Sequence, residues 1–176
     1  IWDRDKLSRH IDLIKQHQAE AVSSNVIAFW ADGRQKLITK SQPQRDYDFL
    51  FESAGPGCTF LMTPWLVGEV RRQLLTNPVA LEVELHDWLT YAICRAHRKT
   101  WVIDPKPSML YRQHQSNVVG ANSGFKAAFS RLKKIYAGWY RRQVALISRV
   151  VNSIGQDASL KEFHRLINSN STFDQY

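Results

Sequence analysis

Cysteine is scarce: the 176-residue chain holds two, Cys58 and Cys94, and they form no C-x-x-C pair. That spacing excludes a disulfide framework and a structural zinc site, so reduced thiols are expected. No run of 18 apolar residues is present, and no basic, apolar and small-residue leader opens the chain. The segment therefore reads as soluble and cytoplasmic. Repeats and low-complexity tracts are also missing. Acidic residues are in deficit, 16 Asp and Glu against 24 Lys and Arg, which leaves a formal charge of +8. This excess argues for an anionic partner: nucleic acid, a phosphorylated substrate or an acidic membrane surface. What is plentiful is apolar side chain, 44% of residues, enough to bury the core of one ordinary domain.

From Asp3 to Gln18 the apolar residues Leu7, Ile11, Leu13 and Ile14 recur at helical spacing, with Asp3 or Asp5 placed to cap. Asn25–Trp30 is β-prone and ends at Asp32-Gly33, and Leu37-Ile38-Thr39 resumes extended character, which predicts a hairpin. Residues 41–46 form a polar loop. Cys58–Met62 reads as a short buried strand, and Pro64 opens a helix that runs to Leu75 and stops at Asn77-Pro78. A further helix is predicted from Asp87 to His97, then strands at Trp101–Ile103 and Met109–Tyr111. From Gly124 the pattern is helical, with breaks at Gly138 and Gly155. The fold class expected is α/β, a mixed sheet with flanking helices over residues 1–123 and a helical extension over 124–176.

Three constellations carry chemistry. Gly55-Pro56-Gly57-Cys58 gives a sharp turn whose backbone can approach a ligand, or an ordinary turn before a strand. With no third glycine in register it is not a dinucleotide fingerprint. His86-Asp87-Trp88 places a carboxylate at a helix start, as a general base or simply as an N-cap. Tyr111-Arg112-Gln113-His114 ends a strand. There His114 can ligate a metal or stand as a surface imidazole, and Arg112 can pair with a diphosphate or with a surface carboxylate. Glycosyl transfer from a nucleotide-sugar needs a base for the acceptor hydroxyl and a means of neutralising the departing diphosphate. Asp87 and a divalent ion meet those needs. Asp3-Arg4-Asp5 matches a D-x-D metal pattern literally, but capping and dipole effects already account for two acids there.

These motifs resemble the family 2 nucleotide-sugar glycosyltransferases of GT-A fold, in particular the bacterial rhamnosyltransferase-like branch that builds cell-surface polysaccharide such as O-antigen or capsule. The resemblance covers Ile1 to Phe129. It rests on Ile1-Trp2 with Lys6-Leu7, on Ala54–Thr59, on His86-Asp87-Trp88, and on Tyr111–His114 with Asn117–Gly120. It implies that Asp87 is the base of an inverting displacement and His114 a ligand of Mn2+ or Mg2+. It further implies that Gly55, Pro56, Gly57 and Cys58 shape the acceptor side, with Trp88 offering a sugar-stacking face; His86 and Arg112 are counted with them as candidate donor or acceptor contacts. Glutamate is usual in the family where His86 stands. The partners implied are a nucleotide-sugar donor and a saccharide or lipid-linked saccharide acceptor. The family's nucleotide-binding strands and acidic motif are expected upstream of Trp2, so the segment alone is expected to be catalytically silent.

Competing readings come from the basic aromatic runs Arg131–Tyr136 and Trp139-Tyr140-Arg141-Arg142. They suit a nucleic-acid-binding module, a helix resting on anionic membrane, or an amphipathic helix whose apolar stripe packs on the domain. A metal-dependent hydrolase would need a ligand pair such as H-x-x-x-H, and none is present.

Overall fold

The computed structural model describes residues 1–113, 138–155 and 158–169. In chain order the elements are α1 (Lys6–His17), β1 (Ala21–Ser24), β2 (Val26–Phe29) and β3 (Gln35–Ile38). Two 3-10 turns follow (Asp48–Leu50 and Gly57–Thr59), then β4 (Leu61–Met62), α2 (Pro64–Thr76), α3 (Pro78–Leu81) and α4 (His86–Ala96). The series closes with β5 (Trp101–Asp104), β6 (Leu110–Arg112), α5 (Trp139–Ile154) and α6 (Ala158–Ser169).

The strands make two small mixed sheets with flanking helices, ordered β4-β1-β5 and β3-β2-β6. In each, the central strand pairs parallel on one side and antiparallel on the other. Ala21 faces Trp101 in parallel and Met62 antiparallel; Ile27 faces Leu110 in parallel and Leu37 antiparallel. One residue, Asn25, joins the two sheets. Its Oδ1 accepts from Lys40 N (2.6 Å) and Ser41 N (3.0 Å), and its Nδ2 donates to Ser41 Oγ (3.0 Å) and Pro105 O (2.8 Å). A buried amide with two acceptor and two donor bonds replaces the ladder where the chain changes sheet.

The sequence misleads in four places. The inward face of α1 is Lys6 and His10, while Leu7 and Ile11 are exposed. Ion pairs set that rotation: Arg9 grips Asp104 at the end of β5 with Nε–Oδ2 2.5 Å and Nη2–Oδ1 2.8 Å, and Lys106 Nζ meets Asp5 Oδ2 at 2.7 Å. Asp5 holds the N-cap position with no side-chain cap bond, because its carboxylate serves Lys106. Cys58–Met62 is not one strand; a 3-10 turn occupies Gly57–Thr59 and only Leu61–Met62 pairs. And β1 and α3 were not foreseen; Asn77 Oδ1 accepts Val79 N at 3.2 Å and so starts a second helix where a simple stop was expected.

The hairpin, α2, α4, β5 and the helical break at Gly155 stand as read, and Gly138 is the N-cap of α5. Pro64 follows the N-cap Thr63, whose Oγ1 accepts Leu66 N. The core gathers Ala21, Leu66, Tyr91 and Ile93 with Ile147 and Val151 of α5, so α5 shares one core with the sheet and α4. Residues 123 and 124, the boundary drawn from sequence, lie outside the described residues.

Candidate functional site

The glycine turn and the start of α4 come into direct contact. Gly55 has φ +123°, a conformation that side-chain-bearing residues rarely adopt. Ser53 clamps it, its Oγ donating to Gly55 O (2.6 Å) and accepting from Gly55 N (3.0 Å). Pro56 O then accepts both Thr59 N (2.9 Å) and Thr59 Oγ1 (2.8 Å), which closes the 3-10 turn. That turn delivers Gly57 onto the first turn of α4. A Cβ on Gly57 would sit 2.7 Å from His86 Nε2 and 3.5 Å from Asp87 Cβ, so only glycine fits without displacing the imidazole.

Asp87 lies in the first turn of α4, where the helix dipole favours a carboxylate. It is not the N-cap; Leu85 is, and makes no side-chain cap bond. Asp87 Oδ1 accepts Trp88 N at 2.8 Å, satisfying one orphan donor of the helix start. Among the described residues Oδ2 makes no hydrogen bond, which leaves one oxygen for an incoming proton. His86 is exposed beside it, and its carbonyl accepts Thr90 Oγ1 at 2.7 Å.

Trp88 needs correction. The indole is 3% exposed, donates Nε1–H to Phe49 O at 2.9 Å, and lies stacked against Tyr140 with centroids 5.7 Å apart. It is a core residue that fixes the start of α4 and offers no sugar-stacking face here.

The turn's other neighbours complete the cluster. Cys58 is an exposed residue whose Sγ lies 3.4 Å from Met109 Sδ. Partial burial pushes its thiol above the ordinary range, so it is protonated near neutral pH. Tyr111 is half-buried, and burial, with Cys58 and Asp87 adding to it, raises its phenol as well. Trp2 donates Nε1–H to Cys58 O at 3.2 Å, and Lys6 Nζ sits 4.3 Å from the centre of its ring. Strand alternation sends Arg112 to the face of β6 opposite Tyr111, so the two residues do not serve one side of the cluster. His114 and Asn117–Gly120 lie outside the described residues. Among the described residues no group of three or more His, Cys, Asp or Glu is arranged to hold a metal ion.

The basic aromatic segment is partly described. Trp139 donates Nε1–H to Glu84 Oε2 (2.9 Å), Tyr140 O–H donates to Phe51 O (2.6 Å), and Val144, Ile147, Val150 and Val151 are buried. This is the amphipathic helix packed on the domain, with its aromatics spent on the fold. Arg131–Tyr136 fall outside the described residues. No described helix is long and apolar enough to cross a membrane.

Trp2, Lys6 and Met109 join the candidate site through contacts that no motif announced, whereas Tyr111 opens the Tyr111–His114 motif. Trp2 and Lys6 were visible only as part of a resemblance. Their meeting with Cys58 depends on the bridge between Trp2 and Met109, which no local pattern encodes.

No protein-family model matches the chain, and no solved structure matches it. The chain is 40% identical over 159 residues to the dTDP-rhamnosyl transferase RfbG of Shigella flexneri. The match takes in 90% of this chain and 54% of that protein, so the chain spans about half the length of its relative. Along the part of that transferase it spans, the chain is similar to it, with a mixed α/β architecture and a glycine turn packed on the His-Asp-Trp helix start.

Proposed function

We propose that this chain forms the catalytic-base side of an inverting glycosyltransferase that moves a sugar from a nucleoside-diphosphate donor to an acceptor hydroxyl. The observation that carries the reading is the packing of Gly57 against His86 and Asp87, on a chain 40% identical to a rhamnosyl transferase. In the proposed step the acceptor hydroxyl gives its proton to Asp87 Oδ2 as its oxygen attacks the anomeric carbon. The glycosidic bond to phosphate breaks, and the nucleoside diphosphate leaves with the electron pair. Inversion follows from attack opposite the leaving group.

Oδ1 is occupied by Trp88 N–H, which holds the carboxylate and leaves Oδ2 without a hydrogen bond among the described residues. His86, the Cys58 thiol and the Tyr111 phenol are the polar groups grouped with it for acceptor hydroxyls. A divalent metal with His114 as one ligand belongs to the proposal as the group that would neutralise diphosphate charge. The described residues do not make up its ligand set. A dTDP-linked rhamnose is the first donor to test, since the relative's name specifies it. Acceptors on cell-surface polysaccharide or a lipid carrier, contact with anionic membrane, and silence of residues 1–176 alone complete the proposal.

The test is Asp87→Asn in the full-length enzyme, with donor binding and turnover measured separately. Turnover should fall by about 10²–10⁴-fold, the usual contribution of a general base, with donor affinity unchanged. Wild-type turnover in the variant would remove Asp87 from the mechanism.

A further inference from the structure

Trp2 is the most exposed tryptophan among the described residues, at 55%, and yet it is held on three sides. Its indole N–H is tied to Cys58 O at 3.2 Å, and its backbone bridges to Met109. One ring face is covered by Lys6 Nζ, 4.3 Å from the centroid. Lys6 is itself 1% exposed, and its Nζ has no hydrogen-bond partner. A buried amine with no acceptor is costly unless a π face receives it, so the Lys6–Trp2 stack is a built feature rather than a chance contact. With one face taken by Lys6, the exposure of the ring belongs to its other face and edge. Trp2 is bonded to Cys58, the neighbour of the glycine that touches His86 and Asp87. The ring is thus tied to the turn that packs on His86 and Asp87, with Lys6 on one face and its other face exposed. That combination suits a pyranose, whose axial C–H bonds form an apolar face and whose hydroxyls seek polar partners.

We propose that Trp2, and not Trp88, is the stacking platform for a sugar ring in this site. The inference rests on the glycosyltransferase reading for the identity of its ligand as a saccharide.

The test is 19F NMR of the full 176-residue chain labelled with 5-fluorotryptophan, titrated with methyl α-L-rhamnopyranoside and separately with methyl N-acetyl-β-D-glucosaminide. Trp2→Phe assigns the Trp2 resonance. The expected result is a saturable shift of that resonance with at least one glycoside, while the signals of the core residues Trp88 and Trp101 stay fixed and report an intact fold. Saturation-transfer measurements should show affinity for that glycoside down by about tenfold or more in Trp2→Ala and largely kept in Trp2→Phe, as ring-stacking contacts behave on truncation. A saturable shift at other tryptophans with none at Trp2, or no shift with either glycoside, overturns the platform. Asp87-dependent turnover of the full-length enzyme would stand untouched by that failure. A Trp2 shift without such turnover would instead leave a saccharide site and remove the transfer chemistry.

Discussion

Replacing His10 by leucine should make the protein more resistant to mild acid. His10 is fully buried on the inner face of α1, and neither ring nitrogen has a hydrogen-bond partner. Burial, with Lys6 and Arg9 adding to it against the opposing pull of Asp104, lowers its pKa to about 4. In the unfolded chain the value is about 6.5. The unfolded state therefore binds the extra proton first, so the full stability is present above about pH 6.5 and is lost as pH falls toward 4. Between about pH 7.5 and pH 5 that single linkage removes about 2 kcal/mol. Carboxylates do not confuse the window: Glu69 is held at about 2 by Arg72, with Gln73 and His97 assisting against burial, so its contribution is lost only at lower pH. Urea denaturation of both proteins across this range is the assay. The wild type should lose about 2 kcal/mol more than His10→Leu, and the variant should be at least as stable at neutral pH, since two unsatisfied buried nitrogens are gone. Parallel pH profiles for the two proteins would refute the reasoning.

Gly57→Ala should leave stability within about 1 kcal/mol, because the atom it strikes is the tip of the exposed His86 side chain. Transfer by the full-length enzyme should nevertheless drop, and His86→Ala in the same background should relieve the clash; calorimetry and turnover on the wild type and the two variants decide. Iodoacetamide should label the exposed Cys58 in the native protein and spare Cys94, which is buried and pushed up to about 12, until denaturant is added. Mass spectrometry of the labelled peptides reads the difference. Trp88→Phe should cost about 1–3 kcal/mol by leaving Phe49 O without its donor, measured by chemical denaturation. Asn25→Ala should cost about 2–4 kcal/mol in the same assay, since Lys40 N, Ser41 N and Pro105 O lose partners together.

Elements governed by their own residues were legible. Pro64 after Thr63, Asp32-Gly33 between two β-prone runs, and Gly138 and Gly155 around α5 are local signals, and each marks a boundary in the structure. The site was half legible for the same reason. A glycine turn and a carboxylate at a helix start are written in short stretches, and their contact at Gly57 was what the motif order implied. Trp88 shows the limit: an aromatic beside a carboxylate reads identically whether its ring meets a ligand or Tyr140, and the choice is made by α5, some 50 residues away.

The orientation of α1 is the sharper case. Of its apolar stripe Leu7, Ile11, Leu13 and Ile14, the first two are exposed and the last two half-buried, although such a stripe normally decides how a helix lies. Here the bidentate Arg9–Asp104 pair fixes a different rotation. Lys6 and His10, four residues apart, then turn inward together, and the consequence is functional as well as energetic. His10 becomes an acid-labile point in the core, while Lys6 ends beneath Trp2. Had the stripe prevailed, Lys6 would lie in solvent and Trp2 would have lost the support beneath its ring. Breaking the clamp with Arg9→Met should therefore free α1 to turn toward burial of Leu7 and Ile11, and should broaden the Trp2 fluorine resonance before any ligand is added. A Trp2 signal as sharp as wild type in that variant would show that the ion pair does not set the helix face.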